Sequence, residues 1–126
     1  MTERVDRTGS RHRLAAWIPL LMVAGSCASW PALGRPATHT VLMDGTAYVP
    51  RTLAVRRGDV VVWVNKDPFP HTVTASGGGF DSKSIAPGKS WKYTARKTGV
   101  FPYTCTLHPT MTGTLSVGSN AKASGE

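Results

Sequence analysis

Short runs of alternating apolar and polar residues fill the chain beyond residue 37 and predict β-strands. The clearest run, Val60–Val64, is rich in β-branched residues and lies between Gly58-Asp59 and Asn65–Pro68. Seven or eight short strands at this spacing predict an all-β sandwich or barrel. The other runs are Thr40–Met43, Leu53–Arg57, His71–Thr74, Ser90–Thr94, Val100–Cys105 and Thr112–Val117.

The alternation also predicts which aromatic residues face the interior. We expect Trp63, near the centre of its run, to be buried. Phe101, Tyr103 and Cys105 share one face of their strand, so the two rings would separate Cys105 from water. Two more aromatic residues are core candidates by the same alternation: Trp91 and Tyr93.

The first 28 residues have the three-part layout of a secretory signal peptide. A polar, basic stretch that ends at Arg13 precedes the apolar stretch Leu14–Gly25, and small residues follow. This layout predicts cleavage after Ala28 and export to the periplasm. Ala24–Cys27 resembles a bacterial lipobox, so lipidation of Cys27 is the alternative fate of this segment.

Composition suggests how the remaining chain is divided. We expect residues 29–37 to form a linker, residues 38–117 to form the folded domain and residues 118–126 to form a flexible tail. The sequence has 2 Cys, one of them in the predicted leader, so disulfides do not stabilise the domain. Burial alone gives so small a domain marginal stability, and a bound metal would add to it.

The chain is basic, with a formal net charge of +8 at pH 7. Beyond Ala28, Lys and Arg still exceed Asp and Glu by six. Basic domains often bind nucleic acids, but predicted export and the lack of a basic-aromatic motif argue against that class. We interpret the charge as a solvated surface that attracts an acidic partner or a membrane.

One segment, Cys105–Met111, concentrates residues that bind soft metals. Thiolate, imidazole and thioether donors suit copper, and two His with one Cys and a weak axial Met form a blue-copper site. The second His would be His71, which follows a Pro-Phe-Pro turn, whereas His39 has no comparable partner and is expected to be structural. The predicted ligand set is His71, Cys105, His108 and Met111.

Other interpretations of these residues exist. Each residue taken alone is more often structural, as a buried Cys, a hydrogen-bonded imidazole or a Met that fills the core. Zinc also binds Cys and His, but a Met ligand argues against zinc. The combination of these residue types within one short segment of an exported chain favours copper.

These features resemble the small cupredoxins of the plastocyanin, pseudoazurin and amicyanin group. Two residues separate Cys105 from His108 and two separate His108 from Met111, which is similar to amicyanin; plastocyanin and pseudoazurin place four residues before the Met. The resemblance covers about Thr38–Val117. The segments that carry it are Tyr48–Val55, Gly58–Asn65, Pro70–Val73, Pro87-Gly88, Gly99–Cys105 and Met111–Gly113.

The resemblance implies a Greek-key β-sandwich of seven to eight strands with one copper ion at one end. It also implies that the four predicted ligands bind this ion and that the protein transfers single electrons in the bacterial periplasm. Many family members have Asn after the first ligand His, whereas this chain has Thr72. We expect the Thr72 N–H to reach the Cys105 sulfur and the side-chain contact between the loops to differ.

The predicted function is therefore that of a monomeric electron carrier and not of an enzyme. Redox proteins such as a cytochrome c or a dehydrogenase would dock near His108, beside Leu107, Pro109 and the apolar residues before His71. No nucleic acid is expected as a partner, and membrane attachment is expected only through a lipidated Cys27. The alternatives are a copper-handling protein with the same ligands and a metal-free adhesion sandwich.

Overall fold

The computed structural model describes residues 34–120, so the predicted signal peptide, its cleavage site, Cys27 and residues 121–126 of the predicted tail lie outside the described range. Two four-stranded sheets form a β-sandwich, which confirms the predicted all-β class. Among residues 34–120, no helix is long and apolar enough to cross a membrane. The strands are β1 (Thr38–Asp44), β2 (Ala47–Val49), β3 (Thr52–Arg56), β4 (Val60–Asn65), β5 (Thr74–Ala75), β6 (Ser90–Thr94), β7 (Gly99–Cys105) and β8 (His108–Gly118).

The two sheets have the strand orders β2-β1-β4-β6 and β3-β8-β7-β5. Strand β1 runs parallel to β4, and β3 runs parallel to β8, while the remaining neighbours are antiparallel. The chain changes sheet at each connection from β2 to β7. As a result, the segments that follow β1, β4 and β7 meet at one end of the sandwich.

The structure corrects two of the predicted elements. His71–Thr74 is not a strand, because His71 forms only an isolated bridge with Ile85 and β5 contains only Thr74–Ala75. The Val73 N–H, which a strand would pair with a neighbouring backbone carbonyl, donates instead to the Ser82 side chain at Oγ. Strand β8 begins at His108, four residues earlier than the apolar alternation indicates.

Trp63 on β4 is fully buried at the centre of the interior, as the alternation predicts. Its indole N–H donates to the Tyr103 hydroxyl at 3.3 Å, and the Tyr103 ring packs edge-on with centroids 5.6 Å apart. Two further rings pack against Trp63, with centroid distances of 6.1 Å for Phe80 and 5.6 Å for Trp91. Three predicted core aromatics are half-buried and pack against this core: Trp91, Tyr93 and Phe101.

Gly113 provides the space that the Tyr103 ring occupies. The two residues are partners in the β7–β8 ladder, and a Cβ atom at position 113 would lie 2.5 Å from Tyr103 Cζ. Buried atoms do not tolerate such a contact, so the ring would have to move. Packing therefore requires glycine here, since moving the ring would also disturb the hydrogen bond that the Tyr103 hydroxyl accepts from Trp63.

We expect Gly113→Ala to lower the free energy of unfolding by about 1–3 kcal/mol, because the methyl group displaces a buried ring. Gly77→Ala is the matched control, since no heavy atom lies within 4 Å of a Cβ built at that position. Urea unfolding of both variants measures the difference. An unchanged midpoint for Gly113→Ala would contradict the close approach of Tyr103.

Candidate metal centre

Three donor atoms converge at the end of the sandwich where β4 and β7 finish. The Cys105 Sγ atom lies 3.7 Å from His71 Nδ1 and 3.6 Å from His108 Nδ1. Bonds of about 2.0 Å to nitrogen and about 2.3 Å to sulfur around one ion produce separations of this size. We call these three residues the His-Cys site, and their spacing fits a single metal ion.

Each donor belongs to a different part of the fold. His71 lies in the segment after β4, Cys105 ends β7 and His108 begins β8. Cys105 and His108 are register partners across the Thr106-Leu107 turn. His39 lies elsewhere and contacts Asp59 Oδ2 at 2.9 Å, which agrees with a structural role.

Met111 is 2% exposed and lies close to the His-Cys site. It follows His108 by three residues, a spacing that directs side chains to opposite faces of a regular strand. The β7–β8 register, however, shifts from Thr104↔Thr112 to Cys105↔His108. The residues from Pro109 to Met111 therefore have no partners on β7, and this irregularity releases His108 and Met111 from strict alternation.

The site is closed to water except along one edge. His71 and Cys105 are 0% exposed, whereas His108 is half-buried. The Phe69 ring packs against both imidazoles, with centroid distances of 5.3 Å to His71 and 5.4 Å to His108. Exposed apolar residues surround the His108 edge, and we call them the apolar rim: Pro68, Phe69, Pro70, Leu107 and Pro109.

Asp67 fixes the orientation of His71, a role that the sequence analysis did not predict. The His71 Nε2 atom lies 2.6 Å from Asp67 Oδ2. A carboxylate accepts hydrogen bonds, so Nε2 carries the proton and the lone pair of Nδ1 faces the Cys105 sulfur. The sequence feature that could have indicated this role is the position of Asp67, a carboxylate four residues before His71 and just after the predicted strand Val60–Val64.

The same carboxylate binds the turn between β1 and β2. Gly45 and Thr46 donate their N–H groups to the two oxygens of Asp67 at 2.7 and 2.9 Å. Both turn residues have left-handed backbones, with φ of 60° and 57°. Burial raises the pKa of Asp67, but the hydrogen bonds from Thr46, His71 and Gly45 outweigh it and hold this pKa below its ordinary value. Asp67 is therefore ionised at neutral pH.

Thr72 joins the segments that carry His71 and Cys105, at the position where the predicted resemblance would place Asn. Its N–H donates to Cys105 Sγ at 3.3 Å, as expected from the sequence. Its hydroxyl oxygen accepts a hydrogen bond from the Thr106 N–H at 2.9 Å, and its carbonyl accepts one from the Tyr48 hydroxyl at 2.5 Å. The contact between the loops is thus a threonine hydroxyl to a backbone amide.

Comparison with known proteins identifies the family. Residues 14–117 match the family model of the cupredoxin-like domain. The chain belongs to this family. This cupredoxin is 28% identical to amicyanin from Paracoccus versutus over 88 residues, which cover 65% of this chain and 67% of amicyanin.

Solved structures support the same assignment. An oxidised methionine-to-leucine variant of amicyanin has 26% identity and a TM-score of 0.60, covering 64% of this cupredoxin and 81% of that chain. An oxidised proline-to-alanine variant has 26% identity and a TM-score of 0.61, covering 65% and 83%. A copper-containing nitrite reductase from Thermus scotoductus has 26% identity and a TM-score of 0.62, covering 68% of this chain but 23% of that chain. The predicted resemblance to cupredoxins with an amicyanin-like loop is confirmed.

We expect Asp67→Asn to lower the free energy of unfolding of the metal-free protein by about 1–3 kcal/mol at neutral pH, because an amide cannot accept all three hydrogen bonds. The pKa of Asp67 is lower in the folded state than in the unfolded state. The wild type therefore keeps this stabilisation above about pH 4 and loses it as the pH falls through the folded pKa.

Urea unfolding at pH values from neutral to acidic measures both effects. The stability of Asp67→Asn should fall less steeply with acid than that of the wild type. Asp44→Asn is the control, because Asp44 is an exposed carboxylate beside the same turn. Identical acid dependence in Asp67→Asn and the wild type would show that the Asp67 hydrogen bonds contribute nothing to stability.

Proposed function

We propose that this cupredoxin is an exported electron carrier that binds one copper ion through His71, Cys105, His108 and Met111. The observation that carries the proposal is a buried thiol sulfur that lies 3.7 Å from one imidazole nitrogen and 3.6 Å from another. Soft sulfur donors combined with imidazoles select copper over hard cations. One of the similar amicyanin structures is a Cu(I) form, which supports copper as the metal.

Bound copper would supply a one-electron couple between Cu(I) and Cu(II). The chain supplies a geometry that hydrogen bonds maintain independently of the metal. Asp67 holds His71, and the Thr72 N–H holds the Cys105 sulfur. Because these side chains are buried and already oriented, few atoms have to move when the charge of the site changes. Met111 would contribute a weakly binding thioether donor.

His108 provides the path by which electrons would leave the site. It is the half-buried donor and its surroundings are the exposed apolar rim, in which Phe69 is 38% and Leu107 is 51% exposed. Exposed apolar patches commonly mark docking surfaces. We infer that a redox protein, such as a cytochrome c or a dehydrogenase, docks on the apolar rim in the periplasm.

The alternatives are less well supported. A copper-delivery protein would use the same ligands, but it has to pass Cu(I) to an acceptor, and the fully buried Cys105 sulfur does not favour that exchange. Among the similar structures is a nitrite reductase, but this chain matches only 23% of that enzyme. Four donors from the chain also leave no open position for a substrate. We therefore infer a carrier and not an enzyme.

We expect the protein to turn intensely blue with one equivalent of Cu(II), through charge transfer from the Cys105 thiolate. Cys105→Ser should abolish this absorption, because serine offers no sulfur. Cys27→Ser is the matched control and should remain blue. Visible absorption during a copper titration measures the result. An equally blue Cys105→Ser protein would refute the proposed thiolate ligand.

Leu107→Glu should slow electron self-exchange about tenfold, because it places like charges in the contact between two apolar rims. Val100→Glu is the control, since Val100 is 68% exposed at the other end of β7. NMR line broadening in mixtures of oxidised and reduced protein measures the exchange rate. Equal slowing by both variants would show that electrons do not leave through the rim.

A further inference from the structure

The end of the sandwich that lies opposite the His-Cys site has a different chemical character. It is formed where β1, β4 and β7 begin and where β3, β6 and β8 finish, as the register pairs Thr38↔Val60, Val60↔Thr94 and Arg56↔Gly118 show. Strand β7 connects the two ends from Gly99 to Cys105. At about 3.3 Å per residue, this strand separates them by about 20 Å.

Half of the basic residues in the described chain gather at this opposite end. Backbone hydrogen bonds hold the segments that carry them together: Gly58 N–H donates to Ala95 O at 2.7 Å, and Arg57 N–H donates to Gly118 O at 2.8 Å. All five side chains are exposed. We call this surface the basic end, and its residues are Arg35, Arg56, Arg57, Arg96 and Lys97.

The positive charge of the basic end is not neutralised within the fold. The acidic residue there, Asp59, is 6% exposed and accepts hydrogen bonds from the Ala37 and Arg56 N–H groups and from His39. Its carboxylate is therefore used internally. Within residues 34–120, none of the five basic side chains forms an ion pair, whereas Lys83 pairs with Asp81 at 3.0 Å.

Both ends of the described chain emerge at the basic end. Gly34 and Asn120 line one cleft together with Arg35, Arg56 and Arg57. Cys27 precedes Gly34 by seven residues, and a fully extended chain of that length reaches at most about 25 Å. Membrane attachment through a lipidated Cys27 would thus bring the basic end to the bilayer.

We propose that the basic end binds the surface of an anionic phospholipid bilayer. Four of its five residues are arginines, whose guanidinium groups pair with phosphate through two parallel hydrogen bonds. The negative potential of an anionic bilayer attracts basic residues that lie within a Debye length of its surface. In this orientation the His-Cys site and the apolar rim face the aqueous phase, where a redox partner has access.

Two variants of equal net charge test this proposal in the full chain. Flotation with vesicles of phosphatidylcholine, with and without phosphatidylglycerol, measures binding, and thermal unfolding confirms that both variants fold. The first variant replaces the five residues of the basic end with Gln. The second replaces the other five basic residues of the described chain with Gln: Arg51, Lys66, Lys83, Lys89 and Lys92.

We expect the first variant to lose affinity for phosphatidylglycerol vesicles by more than about 100-fold, at about fivefold for each charge near the surface. The second variant should lose less than about tenfold, because its charges lie farther from the bilayer. Neither measurement requires copper, so the result does not depend on the proposed redox function.

Equal losses in the two variants would overturn the proposal, since binding would then follow net charge or the leader and not the basic end. Retained binding by the first variant would also overturn it, since the basic end would then contribute nothing to vesicle binding. Hydrogen exchange on vesicles tests the orientation in the wild type. Amides at positions 56–58 and 95–98 should be protected, and protection at positions 106–108 instead would refute the proposed orientation.

Discussion

One buried carboxylate, that of Asp67, organises the end of the sandwich where the donors meet. It accepts hydrogen bonds from two backbone amides of the β1–β2 turn and from the His71 ring. A charge removed from water is tolerated only when it is fully hydrogen-bonded, so the three partners have little freedom to separate. The position of His71 is thus linked to the edge of one sheet, independently of any metal.

The Cys105 sulfur depends on a second set of contacts that complements the first. Cys105 lies on the other sheet, and the Thr72 N–H reaches it across the interior. The Thr72 hydroxyl then binds the Thr106 backbone next to Cys105. Together with the Asp67 contacts, these hydrogen bonds hold residues from both sheets at a separation that suits one ion. Such preorganisation agrees with a site that changes charge and retains its shape.

The two ends of the sandwich have surfaces of opposite chemical character. The apolar rim surrounds the half-buried His108 at one end, and the exposed arginines of the basic end cover the other. The rigid strands between them keep these surfaces about 20 Å apart. The proposed bilayer contact at the basic end would therefore not compete with the proposed docking contact at the apolar rim.

The sequence alone determined the features that depend on neighbours in the chain. Period-two alternation placed Trp63 inside, and the scarcity and spacing of Cys105, His108 and Met111 indicated a soft-metal site. Tertiary structure alone decided the contacts between distant residues. Asp67 meets a turn more than twenty residues away, and the Val73 amide turns to Ser82, which removes the strand predicted at His71–Thr74. The arginines of the basic end also come from separate segments. These contacts depend on strand register and on how the sheets pack, which the local pattern does not specify.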